Sequence, residues 1–250
     1  MCAHYARATA PEQAGPDYDA PIDPWLRMRL APVREAHRPA PAGATVRDAL
    51  RAIASARPDP ATLALELRPV RALLARERAR FRQRLADGAP AVEIAHAAAR
   101  LLDGTIIGLC HLGRLLEPRP AGMVPPLAVI ARGHYGERKL APGASADLLF
   151  LVAADPARRE HGLAVARFVE RELAGLGWHA SGAKRTVRGC LAETRLDPAM
   201  AVDLSGARLV WGCHGLFADL RAGLAHALGR SEGRTIRDTP EGSARPVLAA

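Results

Sequence analysis

The chain has 250 residues, of which 49% are apolar, and this is enough to bury one sizeable core. No apolar run approaches the length of a membrane span and none follows the amino terminus as a signal region, so we expect a cytoplasmic protein with no membrane contact. A net charge of +9 ordinarily suggests nucleic acid, but the basic residues are nearly all arginines spread along the chain. This distribution argues against a nucleic-acid partner and still suits a triphosphate or an acidic protein.

The first part of the chain divides into two segments by composition. Residues 1–44 are rich in proline with little periodicity, which predicts an extended or disordered leader. Residues 45–120 show helical patterns and predict a helical segment. Its expected helices run over 46–56 with Thr45 as N-cap, from Asp59-Pro60, over 73–85, and over 91–116 as one or two helices.

Residues 121–230 alternate short apolar runs with helical patterns, which predicts an α/β core. Strands are expected at 127–131, 148–152, 180–187 and 209–211, with helices from Asp155-Pro156 to Gly175, at 191–196 and at 217–228. We expect the helices to cover one side of a small mixed sheet. Residues 231–250 contain further Gly and Pro and predict a flexible tail.

Four cysteines occur, at positions 2, 110, 190 and 213, and no two of them have Cys-x-x-Cys spacing. Cys213-His214 does not follow the usual zinc-ligand pattern either, since the two residues are adjacent. Buried free thiols are therefore expected.

The stretch between the first two strands carries the candidate chemistry. Gly133 and Gly136 open a turn-rich loop, where glycine lets the backbone approach a bulky ligand and backbone amides can hold phosphate oxygens. The second strand opens with Ser145-Ala146-Asp147, and strand alternation places Ser145 and Asp147 on one face at the mouth of the loop. A carboxylate at that position is suited to a divalent metal ion.

This stretch resembles the polymerase-beta-type nucleotidyltransferases, and more narrowly the nucleotidyltransferase domain of the bifunctional uridylyltransferase/uridylyl-removing enzymes that modify the nitrogen-signalling protein PII. That family shows a glycine-rich loop, then Ser-Asp-x-Asp-Leu-Leu on the next strand. The matching residues are Gly133, Tyr135, Gly136, Leu140, Pro142, Asp147, Leu148 and Leu149. The segments 176–191, 204–212 and 216–217 are similar to later parts of the same domain.

The resemblance implies a fold, an activity and a site. It implies a small mixed sheet of the nucleotidyltransferase type, Mg²⁺ or Mn²⁺ as cofactor, a nucleoside triphosphate such as UTP as substrate, and a PII-like protein as acceptor. Asp147 is then the catalytic metal ligand. The residues implied at the nucleotide are Gly133, His134, Tyr135, Gly136, Ser145, Lys184 and Arg185.

The chain departs from the family pattern at its metal ligands. Ser145 stands where a second carboxylate is expected and His179 where a third is expected, so one of the three acids remains. Both replacements are weak ligands for Mg²⁺, because a hydroxyl brings no charge and imidazole prefers softer metals. Two hypotheses follow: an active nucleotidyltransferase that moves UMP from UTP to a protein hydroxyl, or an inactive relative that binds a nucleotide or a protein partner.

Overall fold

A computed structural model describes residues 42–117 and 127–237. The predictions for residues 1–41, for the linker 118–126 and for the end of the tail, 238–250, lie outside these residues. In chain order the elements are α1 Ala42–Ser55, α2 Leu63–Glu66, α3 Arg68–Ala86, α4 Ala91–Leu116, β1 Leu127–Ala131, α5 Gly133–Gly136, β2 Ala146–Val152, α6 Pro156–Gly175, β3 Ala180–Arg185, α7 Val187–Leu196, α8 Pro198–Ser205, β4 Arg208–Gly212 and α9 His214–Arg237.

Helices α1 and α4 pack unusually closely because glycines line their contact. A Cβ added to Gly104 would lie 1.9 Å from the carbonyl oxygen of Gly43, and one added to Gly108 would meet the side chain of Leu50 at 2.6 Å. The two helices therefore run side by side in the same direction. This contact also explains why α1 begins at Ala42, although the sequence predicts Thr45 as its N-cap: the residues before Thr45 are held in the helix by α4.

The other helices of the N-terminal segment also differ from the predicted ones in extent. Asp59 forms a turn rather than starting a long helix, with its side chain accepting a hydrogen bond from the Ala61 amide at 2.9 Å. The following α2 has only four residues. The sequence predicts one or two helices over residues 91–116. The structure has one helix there, α4, whose buried residues extend from Ile94 to Gly113.

The sheet has four strands in the order β3-β2-β1-β4. The inner strand β1 is antiparallel to β2 and to β4, while β2 and β3 are parallel. This is the small mixed sheet that the sequence predicts, and the α/β class with an N-terminal helical segment is confirmed. The expected helical cover on one side is wrong, since α1–α4 and α6 share a core with one face of the sheet and α7–α9 share a core with the other.

Alternate residues of the central strands supply these two cores. In β2, Leu148 and Phe150 lie on the face toward α4 and α6, while Leu149 and Leu151 lie on the face toward α7, α8 and α9. The predicted cap of α6 is confirmed, because the Asp155 side chain accepts a hydrogen bond from the Arg158 amide.

The buried residues form a continuous core across the predicted domain boundary at 120. Residues of α1, α3 and α4 belong to the same buried cluster as residues of β1, β2 and α6. Helix α9 continues to Arg237, into the segment predicted as a tail. Cys110 and Cys190 are buried free thiols as predicted, and burial raises the pKa of Cys190 to about 11. Within the described ranges, no helix is both long enough and apolar enough to cross a membrane.

Candidate functional site

Gly133 lies directly after β1 and makes the turn on which the site is built. Its φ of +53° is in the left-handed region that residues with a Cβ rarely adopt. A Cβ at this position would lie 3.4 Å from Oδ2 of Asp147 and 3.8 Å from Oδ1 of Asp203. The backbone conformation therefore favours glycine here, whereas a Cβ would make only ordinary van der Waals contact with the two carboxylates.

Asp147 is near the start of β2 and is exposed, while every other residue of this strand is buried. Parallel pairing sets Asp147 opposite Ser181 of β3. The Ser181 hydroxyl donates a hydrogen bond to Asp147 Oδ1 at 3.3 Å. The Asp147 carbonyl accepts one from the Arg132 amide at 3.0 Å, which fixes the strand beside the Gly133 turn. The predicted metal ligand thus lies next to the predicted glycine loop.

Asp203 is a second carboxylate at this place, and sequence reasoning did not identify it. It lies on α8, where its Oδ1 accepts a hydrogen bond from the Gly133 amide at 3.1 Å and its Oδ2 pairs with Arg132 Nη1 at 3.1 Å. The signal that could have identified Asp203 is the order in which the strands pair. Because β4 pairs with β1 and sets Arg208 opposite Ala131, the end of α8 has to return to the Gly133 turn.

The glycine loop itself is a short helix, α5, whose amides are partly engaged. The Gly133 amide donates to Asp203 and the Gly136 amide donates to the Arg132 carbonyl at 2.9 Å. The sequence predicts that this loop offers its amides to phosphate oxygens. Since these two are already paired, a phosphate can reach them only by displacing the Asp203 carboxylate or opening the turn.

Tyr135 is predicted at the nucleotide, and the structure places its side chain in the core with 1% exposure. Its hydroxyl donates to Asp103 Oδ1 at 2.6 Å, and Arg208 donates to both oxygens of the same carboxylate at 2.9 and 3.0 Å. Burial and the adjacent Asp103 charge raise the pKa of Tyr135 well above its usual value. We name Tyr135, Asp103 and Arg208 the Asp103 clamp, because it ties α4 to the loop and to β4.

Lys184 and Arg185 lie farther along β3 than Ser181, which pairs with Asp147. From Ser181 to Lys184 the strand rises by about 10 Å. Lys184 pairs with Glu170 at 2.5 Å, and Arg185 pairs with Glu193 at 2.5 Å. As nucleotide-binding residues they stay predictions, and in the structure each cation already has a carboxylate partner.

The remaining predicted residues surround Asp147 on an open surface. His134, Ser145 and His179 are all exposed, and Ser145 precedes the first residue of β2. The His179 carbonyl accepts a hydrogen bond from the Ala146 amide at 2.8 Å, which keeps His179 beside the strand start. Among the described residues, no three His, Cys, Asp or Glu side chains converge as a metal-ligand set.

These donors do not fit a two-metal site. Asp203 already forms an ion pair with Arg132, so Asp147 is the carboxylate that remains to bind a metal cation. One carboxylate together with phosphate oxygens is a common way of holding a single Mg²⁺. The residues present therefore fit one metal ion that arrives with a nucleotide.

No protein-family model matches the chain. Among curated proteins, it is 34% identical over 98 residues to the bifunctional uridylyltransferase/uridylyl-removing enzyme of Thiobacillus denitrificans, covering 39% of this chain and 11% of that protein. It is 30% identical over 147 residues to the same enzyme of Gluconobacter oxydans, covering 59% of this chain and 15% of the relative. The chain thus matches only a small part of the length of these relatives.

A solved structure described as a toxin-antitoxin with AMP-PNP is also similar, with a TM-score of 0.34 and 13% identity over 54% of this chain and 95% of that chain. A likeness this weak does not define a fold. The two curated relatives belong to the family that the motif around Gly133 and Asp147 resembles. Over part of its length, the chain is a distant homologue of the bifunctional uridylyltransferase/uridylyl-removing enzymes.

Proposed function

We propose that this protein is a pseudo-nucleotidyltransferase, which binds a nucleoside triphosphate with one Mg²⁺ or Mn²⁺ at Asp147 and does not transfer the nucleotidyl group. The proposal rests on the different surroundings of the two carboxylates next to Gly133. Asp147 is exposed, whereas Asp203 is held by Arg132 and by the Gly133 amide. One carboxylate can anchor a metal–triphosphate complex, but a two-metal reaction shares several acids.

Charge around the site supports binding of an anion. The Arg132 side chain is half-buried, and its Nε is buried with no hydrogen-bond acceptor within the described part of the chain. The side chain is 21% exposed, so its guanidinium can donate a hydrogen bond to a phosphate oxygen, which has the charge and geometry that suit it. The bound metal supplies charge neutralisation for the triphosphate.

The openness of the site supports binding without turnover. Asp147, Ser181 and His134 are all exposed, so this surface does not exclude water around a reacting phosphate. Lys184 and Arg185, the cations expected at the triphosphate, are paired with glutamates instead. A nucleotide held here serves as a signal or as a link to a protein partner, for which a PII-like protein is the first candidate.

A second candidate function, an active uridylyltransferase, is favoured by the position of Asp203. If a nucleotide draws Arg132 onto its phosphates, Asp203 is released beside Asp147 and a second carboxylate replaces one lost from the motif. An acceptor hydroxyl then attacks the α-phosphorus of UTP, the new O–P bond forms as the bond to the β-phosphate oxygen breaks, pyrophosphate leaves, and the hydroxyl proton passes to solvent. UTP is the first substrate to test, because the relatives are named for uridylyl transfer.

Binding and turnover are separated by one pair of assays. Equilibrium binding of α-labelled UTP with Mg²⁺ or Mn²⁺ is expected in the wild type and lost in Asp147→Asn. The same label is not expected to move to a PII-like protein, and pyrophosphate is not expected to form. Label transfer that requires both Asp147 and Asp203 would overturn the binding-only proposal and establish the second candidate.

The matched control is Asp87→Asn, which removes an exposed carboxylate at the end of α3. It should bind UTP as the wild type does. A second control restores the motif: Ser145→Asp together with His179→Asp should strengthen metal-dependent binding, because it adds two carboxylates beside the strand start.

A further inference from the structure

We propose that a second, separate site between α1 and the end of α4 binds a phosphate-bearing small molecule, either inorganic phosphate or a phosphate monoester. The site is a surface cavity of about 250 Å³. It is lined by Arg51, Ala54, Ser55, His111, Arg114 and Leu115. This proposal does not depend on the function proposed for Asp147.

The close contact of α1 with α4 places the basic side chains together. Gly43 meets α4 near Gly104, and Leu50 meets it at Gly108, so the last turn of α1 reaches the last turns of α4. Arg51 and Arg114 therefore approach the same cavity from different helices. Because the two helices are in close contact, the backbone positions of both arginines are fixed before any ligand arrives.

The charge in this cavity is one-sided. None of the lining residues carries a carboxylate, while two are arginines and one is His111. Burial lowers the pKa of His111 below its ordinary value, and the positive charges of Arg114, Arg51 and Arg47 lower it further. Three guanidinium groups thus act on one imidazole, which is the arrangement expected where an anion is to be held.

Arg47 is a further cation close to His111, and it has a hydrogen-bond donor without an acceptor in the described part of the chain. It lies one helical turn before Arg51 on α1. Its Nε is buried and has no hydrogen-bond acceptor among the described residues; the nearby Asp48 Oδ1 lies at 3.7 Å, which is too long for a hydrogen bond. Arg47 does not itself line the cavity, but its charge adds to the positive potential at His111.

Trp211 of β4 forms an aromatic neighbour of the cationic groups. The His111 and Trp211 rings meet edge to face at a centroid distance of 5.8 Å, and the Arg114 guanidinium lies 5.8 Å from the Trp211 ring centroid. These contacts restrict both side chains, so that less freedom is lost when a ligand binds. The size of the cavity suits a phosphate with a small organic group rather than a long polymer.

The cavity is distinct from the site at Asp147. From Asp103, which contacts the glycine loop, to His111, α4 rises by about 12 Å. Trp211 pairs with Val129 in the middle of β1, four residues before the Gly133 turn. A ligand in the cavity can therefore bind while the Asp147 site is empty.

The test is NMR titration of the full chain with the His111 ring signals as the reporter. Inorganic phosphate and glycerol 3-phosphate are added at constant ionic strength set with chloride, and glycerol is the neutral comparison. We expect a saturable shift with both phosphates and none with glycerol. Arg51→Gln and Arg114→Gln should each weaken binding by about tenfold, because each removes a charged donor to the anion.

Three controls test whether the phosphate binds between α1 and α4. Arg76→Gln removes an exposed arginine of α3 and should leave binding unchanged, as should Asp147→Asn. Without phosphate, Arg51→Gln should unfold at the same or a higher temperature than the wild type, because it relieves repulsion among the arginines. This result shows that the variant is folded when it fails to bind.

Two results would overturn the proposal. One is a shift that stays linear up to about 20 mM of either phosphate, since a built site of this kind should saturate at millimolar concentration or below. The other is saturable binding that persists in the Arg51→Gln/Arg114→Gln double variant or is lost in Asp147→Asn, which would place the phosphate elsewhere.

Discussion

The Asp103 clamp offers the sharpest test of how the site is held. Asp103→Asn keeps an oxygen for the Tyr135 hydroxyl but removes the charge that Arg208 contacts at 2.9 and 3.0 Å. The two partners are only 14% and 19% exposed, so water screens the pair weakly and cannot fully solvate the Arg208 cation left behind. Arg138, whose Nη1 lies 3.8 Å from the same carboxylate, loses its counter-charge as well.

The expected cost follows from these contacts. A hydrogen bond to a charged group contributes about 1.5–3 kcal/mol, and two such bonds that share one carboxylate are not additive, so we expect a loss of about 3 kcal/mol. For a chain of this size the loss corresponds to a fall of roughly 6–12 °C in Tm. Urea unfolding followed by circular dichroism measures the change in the free energy of unfolding.

The control for this measurement is an exposed ion pair of the same chemical type. Glu93→Gln breaks the pair with Arg84, whose partners are 58% and 48% exposed, and should cost about 0.5 kcal/mol or less. If the free energy of unfolding of Asp103→Asn is within about 0.5 kcal/mol of the wild type, the clamp contributes no more than a surface ion pair and the expected cost is wrong.

The remaining predictions concern the clamp tyrosine and three glycines. Because the pKa of Tyr135 is raised in the folded state, its contribution to stability is fully present below about pH 10 and is lost as pH rises further. Urea unfolding from pH 8 to 11 should show this loss of stability. The Tyr135→Phe variant should not show this pH dependence. Gly104→Ala should cost about 2 kcal/mol or more, because its Cβ would lie 1.9 Å from the Gly43 oxygen. Gly175→Ala is the control: its Cβ would have no heavy atom within 4 Å, so this variant should be as stable as the wild type or more stable. Equal Tm values for the two variants would contradict the close packing of α1 and α4. Gly133→Ala should cost about 1–2 kcal/mol through its positive φ, and an unchanged urea midpoint would show that the turn relaxes without strain.

The sequence predicts the elements that carry strong local signals. The apolar runs that become β1 and β2, and the Asp155-Pro156 start of α6, are found at the expected places because pattern and capping are local properties. The start of α1 is different. It depends on the contact of Gly43 with α4, and that contact joins residues far apart in the chain.

At the site, too, local features can be predicted from the sequence and long-range contacts cannot. The motif identifies Gly133 and Asp147 as neighbours, because the turn and the strand that carry them are close in sequence. Asp203 reaches the site only through the pairing of β4 with β1, and the carboxylate partners of Lys184 and Arg185 come from α6 and α7. Such partners depend on tertiary packing, and a single sequence does not show which charges meet.

Thermal unfolding of the wild type and Asp147→Asn with millimolar UTP and Mg²⁺ or Mn²⁺ tests whether Asp147 anchors a metal–triphosphate complex. A ligand present at a hundred times its dissociation constant stabilises the folded state by about 2.7 kcal/mol, which for this chain length raises Tm by roughly 5–11 °C. We expect a metal-dependent rise in Tm in the wild type and in Asp87→Asn, and none in Asp147→Asn. An equal rise in Asp147→Asn, or no rise in the wild type with UTP, ATP, CTP or GTP, would contradict a triphosphate site at Asp147.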